Sequence, residues 1–91
     1  MKFSLEVGEA ERHIVEFSFN QLLGTLDIRV DQQKIKHRVR LINEPMSETH
    51  TLQIGECERT SVRIEKERTS TFTQKCVVYV NERLYKCYAG A

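Results

Sequence analysis

Apolar and polar residues alternate one by one along most of this chain, the period of a strand with one face toward a core. Phe3, Leu5 and Val7 alternate with Lys2, Ser4 and Glu6. After Gly8-Glu9-Ala10-Glu11, Val15, Phe17 and Phe19 alternate with Glu16, Ser18 and Asn20. Gly24 opens Leu26, Ile28 and Val30, set against Asp27, Arg29 and Asp31. Ile35, His37, Val39 and Leu41 follow, and beyond the turn signal Asn43-Glu44-Pro45-Met46-Ser47 come His50, Leu52 and Ile54. Val62 and Ile64 form a short strand, a polar stretch runs from Glu65 to Gln74, and the segments Cys76 to Val80 and Leu84 to Tyr88 complete the pattern. About eight short strands at roughly ten-residue spacing predict an all-β fold, a small antiparallel sandwich or partly open barrel. A helix competes only over residues 8–23, where Ala10, Ile14 and Phe17 have helical spacing; Val15, Phe17 and Phe19 favour the strand.

The order of segments hints at two similar halves. Val15-Glu16-Phe17 followed by Leu26 to Ile35 is echoed by Val62-Arg63-Ile64 followed by Cys76 to Leu84. Each half reads strand, long connection, strand ending in Val-Asp or Val-Asn, tight turn, strand. In the first half, a two-residue loop at Gln32-Gln33 predicts that Asp31 faces Lys34 and Asp27 faces Arg38. The same register sets Leu26 by Val39, Ile28 by His37 and Val30 by Ile35. His37 and His50 are then inward-facing histidines bonded to backbone. For the last hairpin two loops compete. A turn at Asn81-Glu82 brings Cys76 opposite Cys87, a potential redox pair, whereas one at Glu82-Arg83 brings Cys76 opposite Ala89.

Length and composition restrict the rest. The 91 residues make one domain with one core. Fourteen basic against thirteen acidic residues leave a formal charge of +1, so no global field selects nucleic acid or an anionic membrane. No apolar run is long enough to cross a bilayer, and the opening residues Met1 to Glu6 lack the apolar block of a signal peptide. Three cysteines, an odd number without a C-x-x-C pair, fit a reduced, cytoplasmic protein. The expected partner is a protein or a second copy, with no membrane and no cofactor; nucleic acid is not the expected partner.

Three clusters have candidate chemistry. Lys34, Lys36, Arg38 and Arg40 project to one side of a strand, a candidate basic binding face for single-stranded nucleic acid or a small ligand. The alternative is a solvated face partly neutralised by Asp27 and Asp31. His13, His37, His50 and the cysteines could supply metal ligands, His50 and Cys57 lying either side of a strand end, but no short ligand pair seeds a site. Cys57 lies between Glu56 and Glu58, which raise a thiol pKa rather than lower it. No catalytic constellation emerges. The last strands are apolar on both faces, which makes Tyr79, Leu84 and Tyr88 candidate interface residues.

Several segments together resemble the β-sandwich domain of the Fas apoptotic inhibitory molecule family. They are His13 to Phe17 with Gly24 and Ile28 to Asp31, then Ile54-Gly55-Glu56-Cys57-Glu58-Arg59 leading into Val62-Arg63-Ile64, and the hairpin Val78 to Tyr88. The chain departs from that family in lacking its tryptophans and in carrying Glu82 where its turn glycine stands. The resemblance implies a compact antiparallel sandwich without catalytic machinery, acting through protein contacts as the family does in anti-apoptotic signalling and protection from aggregation.

Overall fold

Every alternating segment becomes a strand in the computed structural model, which describes residues 1–40 and 45–90. The order is β1 (Lys2–Val7), β2 (His13–Asn20), β3 (Thr25–Val30), β4 (Gln33–Val39), β5 (Ser47–Ile54), β6 (Thr60–Arg68), β7 (Gln74–Val80) and β8 (Arg83–Gly90). Residues 8–23, where a helix competed, form the β1–β2 loop, β2 and part of the next turn. Among the described residues there is no helix long and apolar enough to cross a membrane. The expected inward position of Leu41, and the turn signal at Asn43-Glu44, lie outside the described residues.

Two four-stranded antiparallel meanders result, β1-β2-β3-β4 and β5-β6-β7-β8, so each sheet is built from one contiguous half of the chain. Their inner faces share one core. Val15, Phe17, Leu26 and Ile28 from the first sheet and Val62, Ile64, Cys76 and Val78 from the second are wholly buried. Burial of a side chain of this size is worth about 1.5–3 kcal/mol, which is why the two faces close on each other. The barrel alternative fails because each half completes its own sheet and leaves its own edges.

The suspected echo is a residue-by-residue equivalence. Val15 pairs with Val30 as Val62 pairs with Val80, Phe17 with Ile28 as Ile64 with Val78, and Phe19 with Leu26 as Lys66 with Cys76. The second half carries three extra residues between its middle strands. Contacts between the halves are reciprocal, as in an isologous dimer. Glu58 accepts the amides of Glu9, Ala10 and Glu11 at 2.9, 3.0 and 3.0 Å. Its counterpart Glu11 accepts those of Glu56, Cys57 and Glu58 at 2.9, 2.8 and 3.3 Å. Each loop can turn its amides outward because it opens on a glycine in the left-handed region, Gly8 at φ 93° and Gly55 at φ 99°. A Cβ there would sit 2.0 Å from the Glu11 carbonyl oxygen or 2.1 Å from that of Glu58.

The hairpin at β3–β4 corrects the predicted register. The turn is Asp31-Gln32, with φ 51° and 67°, and Val30 faces Gln33. Both residues need positive φ, and aspartate accepts that conformation better than glutamine. A bulge then leaves Ile35 without a partner, and beyond it Ile28 faces Lys36, Asp27 faces His37 and Leu26 faces Arg38. The second half repeats the device. Asn81-Glu82 is the turn at φ 51° and 65°, Tyr79 faces Leu84, Tyr85 bulges, and Val78 faces Lys86. Cys87 therefore faces Val77 and is exposed, while Cys76 faces Tyr88 and is buried, so the pairing of Cys76 with Cys87 does not form.

Candidate functional site

The two bulges decide which chemistry faces inward. Lys34 stays on the outer face, 3.6 Å from Asp27, but Lys36 and Arg38 turn between the sheets. Arg38 donates through one terminal nitrogen to both oxygens of Glu48 at 2.8 Å. Lys36 Nζ donates to His50 Nδ1 at 2.8 Å, and His50 Nε2 lies 2.6 Å from Glu48 Oε1. An ammonium group can only donate, so Nδ1 is the acceptor and the proton resides on Nε2, which donates to Glu48. Burial, then the neighbouring Lys36 charge, lowers the His50 pKa and keeps the ring neutral. Lys66 completes this inter-sheet network, 3.9 Å from Glu48 and with its ammonium 3.9 Å above the Phe19 ring.

The single basic face expected from Lys34, Lys36, Arg38 and Arg40 is thus divided. Arg38, half-buried, is committed to Glu48, and Lys36, although exposed, bonds His50, while Lys34 and Arg40 are exposed. The physical reason is the unpaired Ile35, which reverses the side-chain alternation within one strand. His37 is likewise outward, exposed, and paired with Asp27, whose pKa it lowers. His50 is inward as expected, but its partners are side chains rather than backbone.

A second cluster lies at the glycine-loop end. His13 Nδ1 is 2.6 Å from Asp31 and Nε2 is 2.6 Å from Glu11. A neutral imidazole has only one N–H, so two short carboxylate contacts require the imidazolium. Asp31 first, then Glu11, raises the His13 pKa accordingly. Glu11 is held near a pKa of about 2 by the amides of Cys57 and Glu56 and by His13. The cluster borders a cleft of about 530 Å³ that also contains Ile35, Leu52 and Cys57. Its counterpart in the other half, about 440 Å³, has Thr60 for His13, Asn81 for Asp31 and Tyr85 for Ile35. With both ring nitrogens engaged, His13 has no lone pair for base catalysis or metal ligation. Among the described residues no cluster of His, Cys, Asp and Glu side chains is arranged as a metal centre. His50 and Cys57 belong to different clusters and share no site.

The halves differ most on their outer faces. In the first, the paired positions are Asp27 with His37 and Arg29 with Lys34. The equivalent positions of the second are Val77 with Cys87 and Tyr79 with Leu84. Leu84 is 63% exposed, and Tyr79 lies beneath the Arg63 guanidinium at 4.3 Å. Tyr79 and Leu84 therefore share the outer face. Tyr88 does not. The bulge turns it inward, where it stacks on Phe3 at 3.9 Å between ring centres. The paired tetrads Gly8-Glu9-Ala10-Glu11 and Gly55-Glu56-Cys57-Glu58 went unread as a repeat, although they stand in the sequence at equivalent places. No family model, curated protein or solved structure matches the chain.

Proposed function

We propose that this protein is a non-enzymatic protein-binding module that takes an extended segment of a partner along β8 and the adjoining outer face. The observation that carries this reading is the contrast between equivalent pairs, Tyr79–Leu84 in one half and Arg29–Lys34 in the other. The same backbone supports both pairs, Arg29 facing Glu16 in one half and Tyr79 facing Arg63 in the other, and Leu84 is left exposed at the edge. An edge strand also offers unpaired amides and carbonyls, which proteins usually guard with charge. β4 is guarded by Lys34, Lys36, His37 and Arg38, whereas β8 has only Arg83 and Lys86.

Those two cations define the partner. β8 contains no acid, so an antiparallel seam between two copies of it would hold like charges and no anion. A segment alternating apolar with acidic residues satisfies both the Tyr79–Leu84 surface and the cations. The protein-contact mode implied by the resemblance to the Fas apoptotic inhibitory molecule family favours the same reading. The odd cysteine count and the separation of Cys76 from Cys87 support a reducing, cytoplasmic setting. The alternative, an oligonucleotide or small-ligand binder using residues 34–40, has less support because Lys36 and Arg38 are engaged between the sheets.

The test is titration of the full chain with a synthetic peptide alternating valine and glutamate, followed by calorimetry. Saturable binding is expected, and the double variant Tyr79→Arg, Leu84→Lys should abolish it while circular dichroism shows a retained fold. Because Tyr79 faces Arg63 where Arg29 faces Glu16, a modest fall in melting temperature accompanies the change. Absence of binding, or binding untouched by the double variant, overturns the assignment. Binding of single-stranded RNA at low salt that Lys34→Gln weakens would transfer the function to the basic strand.

A further inference from the structure

The two ends of the sandwich are chemically opposite. At the glycine-loop end the turns contain Glu9, Glu11, Asp31, Glu56, Glu58 and Glu82 against Arg12 and Arg59. At the other end the connections contain exposed apolar side chains instead. Leu22 and Leu23, between β2 and β3, are 85% and 59% exposed, and Phe72, between β6 and β7, is 64% exposed. Met46, at the entry to β5, is 63% exposed. Side chains this exposed add little to the core, and a turn is built equally well from polar residues. The two connections are tied to each other, since Gln21 donates to the Thr71 carbonyl at 2.6 Å and accepts from Gln74 at 2.9 Å. Leu22 and Phe72 border one apolar recess of about 470 Å³ above Phe19.

The nearby charges are mainly basic: Lys2, Arg40, Arg68 and Lys75 stand against one exposed acid, Glu67. Arg40 is anchored beside the Leu22-Leu23 connection by its amide, which donates to the Gly24 carbonyl at 2.8 Å. Arg68 is anchored beside Met46 in the same way, also at 2.8 Å. No acid occurs in the described parts of the connections 21–24 and 69–73.

We infer that this end docks on the surface of an anionic lipid bilayer. Leu22, Leu23 and Phe72 enter the interfacial region, while Arg40 and Arg68 meet the head groups. A bilayer fits better than a folded partner because exposed apolar side chains from two linked connections lie beside mainly basic residues, and a fluid surface needs no matching shape. The acidic end is repelled by the same surface, which orients the molecule. No spanning segment is required, so the lack of one does not bear on this contact.

The test is flotation of the full chain with vesicles of phosphatidylcholine alone or mixed with phosphatidylserine. The wild type should float with the mixed vesicles, release as salt is raised, and ignore the neutral ones. Replacing Leu22, Leu23 and Phe72 together by serine should abolish flotation while circular dichroism melts show an unchanged fold. Arg40→Gln should lower the partition coefficient about fivefold, the effect of one basic residue at an anionic surface. The Tyr79→Arg, Leu84→Lys variant should float like wild type, which separates this surface from the β8 site. Failure of the wild type to float with mixed vesicles overturns the inference. So does flotation that survives the triple substitution. Concentration-dependent dimers that the triple substitution dissolves, without any vesicle binding, would assign the end to a second copy instead.

Discussion

Phe3 and His50 occupy equivalent positions in the two halves, facing Phe17 and Ile64 respectively. Phe3 is buried between two rings, 4.9 Å from Phe17 and 3.9 Å from Tyr88. Phe3→Leu keeps the site apolar and loses both stacks, each worth about 0.5–1.5 kcal/mol, for a cost of about 1–3 kcal/mol. Phe3→His transplants the second half's residue without its surroundings. Met1 stands where Glu48 would be needed, and the ammonium of Lys86, the counterpart of Lys36, lies over the Tyr88 ring at 5.2 Å. The imidazole N–H is then buried without an acceptor, which adds about 1–3 kcal/mol. For a chain of this size each kcal/mol lowers the melting temperature by about 4–8 °C. Urea unfolding followed by circular dichroism at neutral pH should rank wild type, Phe3→Leu and Phe3→His in falling order. If histidine is tolerated as well as leucine, the polar network between the sheets does not depend on its particular partners, and the reasoning fails.

Stability should fall at both pH extremes through one cluster. Glu11, held at about 2 in the fold against an ordinary 4.5, contributes stability that is complete above 4.5 and lost as pH falls toward 2. His13 is raised, so its contribution is complete below its ordinary value of 6.5 and lost as pH rises through the folded pKa. His13→Asn should flatten the alkaline limb of a melting-temperature profile, and Glu11→Gln the acid limb; unchanged limbs would contradict the cluster. With a thiol reagent under native conditions, Cys57 and Cys87 should react and Cys76 should not, because Cys76 is buried and its pKa is raised to about 11 by that burial. Rapid labelling of Cys76 would contradict its place in the core.

The fold was legible because period-two alternation is a local signal, and the alternating apolar residues of β1, β2, β3, β5 and β6 point inward as read. Strand β4 departs from that reading, and its failure is instructive. The residues it turns toward the facing sheet, Lys36 and Arg38, are polar, and Ile35 and Val39 are exposed, so binary patterning alone selects the wrong face. The compensation comes from Glu48 and His50 on the facing sheet, which no argument confined to one hairpin can supply. A cue did exist in the echo between the halves. Val30-Asp31-Gln32 aligns with Val80-Asn81-Glu82, and one turn geometry applied to both would have moved the first loop to Asp31-Gln32. β6 likewise runs on to Arg68 through residues read as a polar connection, since Lys66 is buried under Phe19. The candidate surface at Tyr79 and Leu84 was legible from apolarity on both faces of the hairpin. Tyr88 was misplaced because a bulge leaves no mark in a hydropathy pattern.

The equivalence of the two bulged hairpins governs which charges turn inward and which apolar pairs face a partner. Cross-strand nuclear Overhauser contacts measured on the full chain test it most directly. The structure predicts Ile28 opposite Lys36, Val78 opposite Lys86, and the Lys36 side chain against the His50 ring. Contacts joining Ile28 to His37, or Cys76 to Cys87, would restore the unbulged registers and contradict the account.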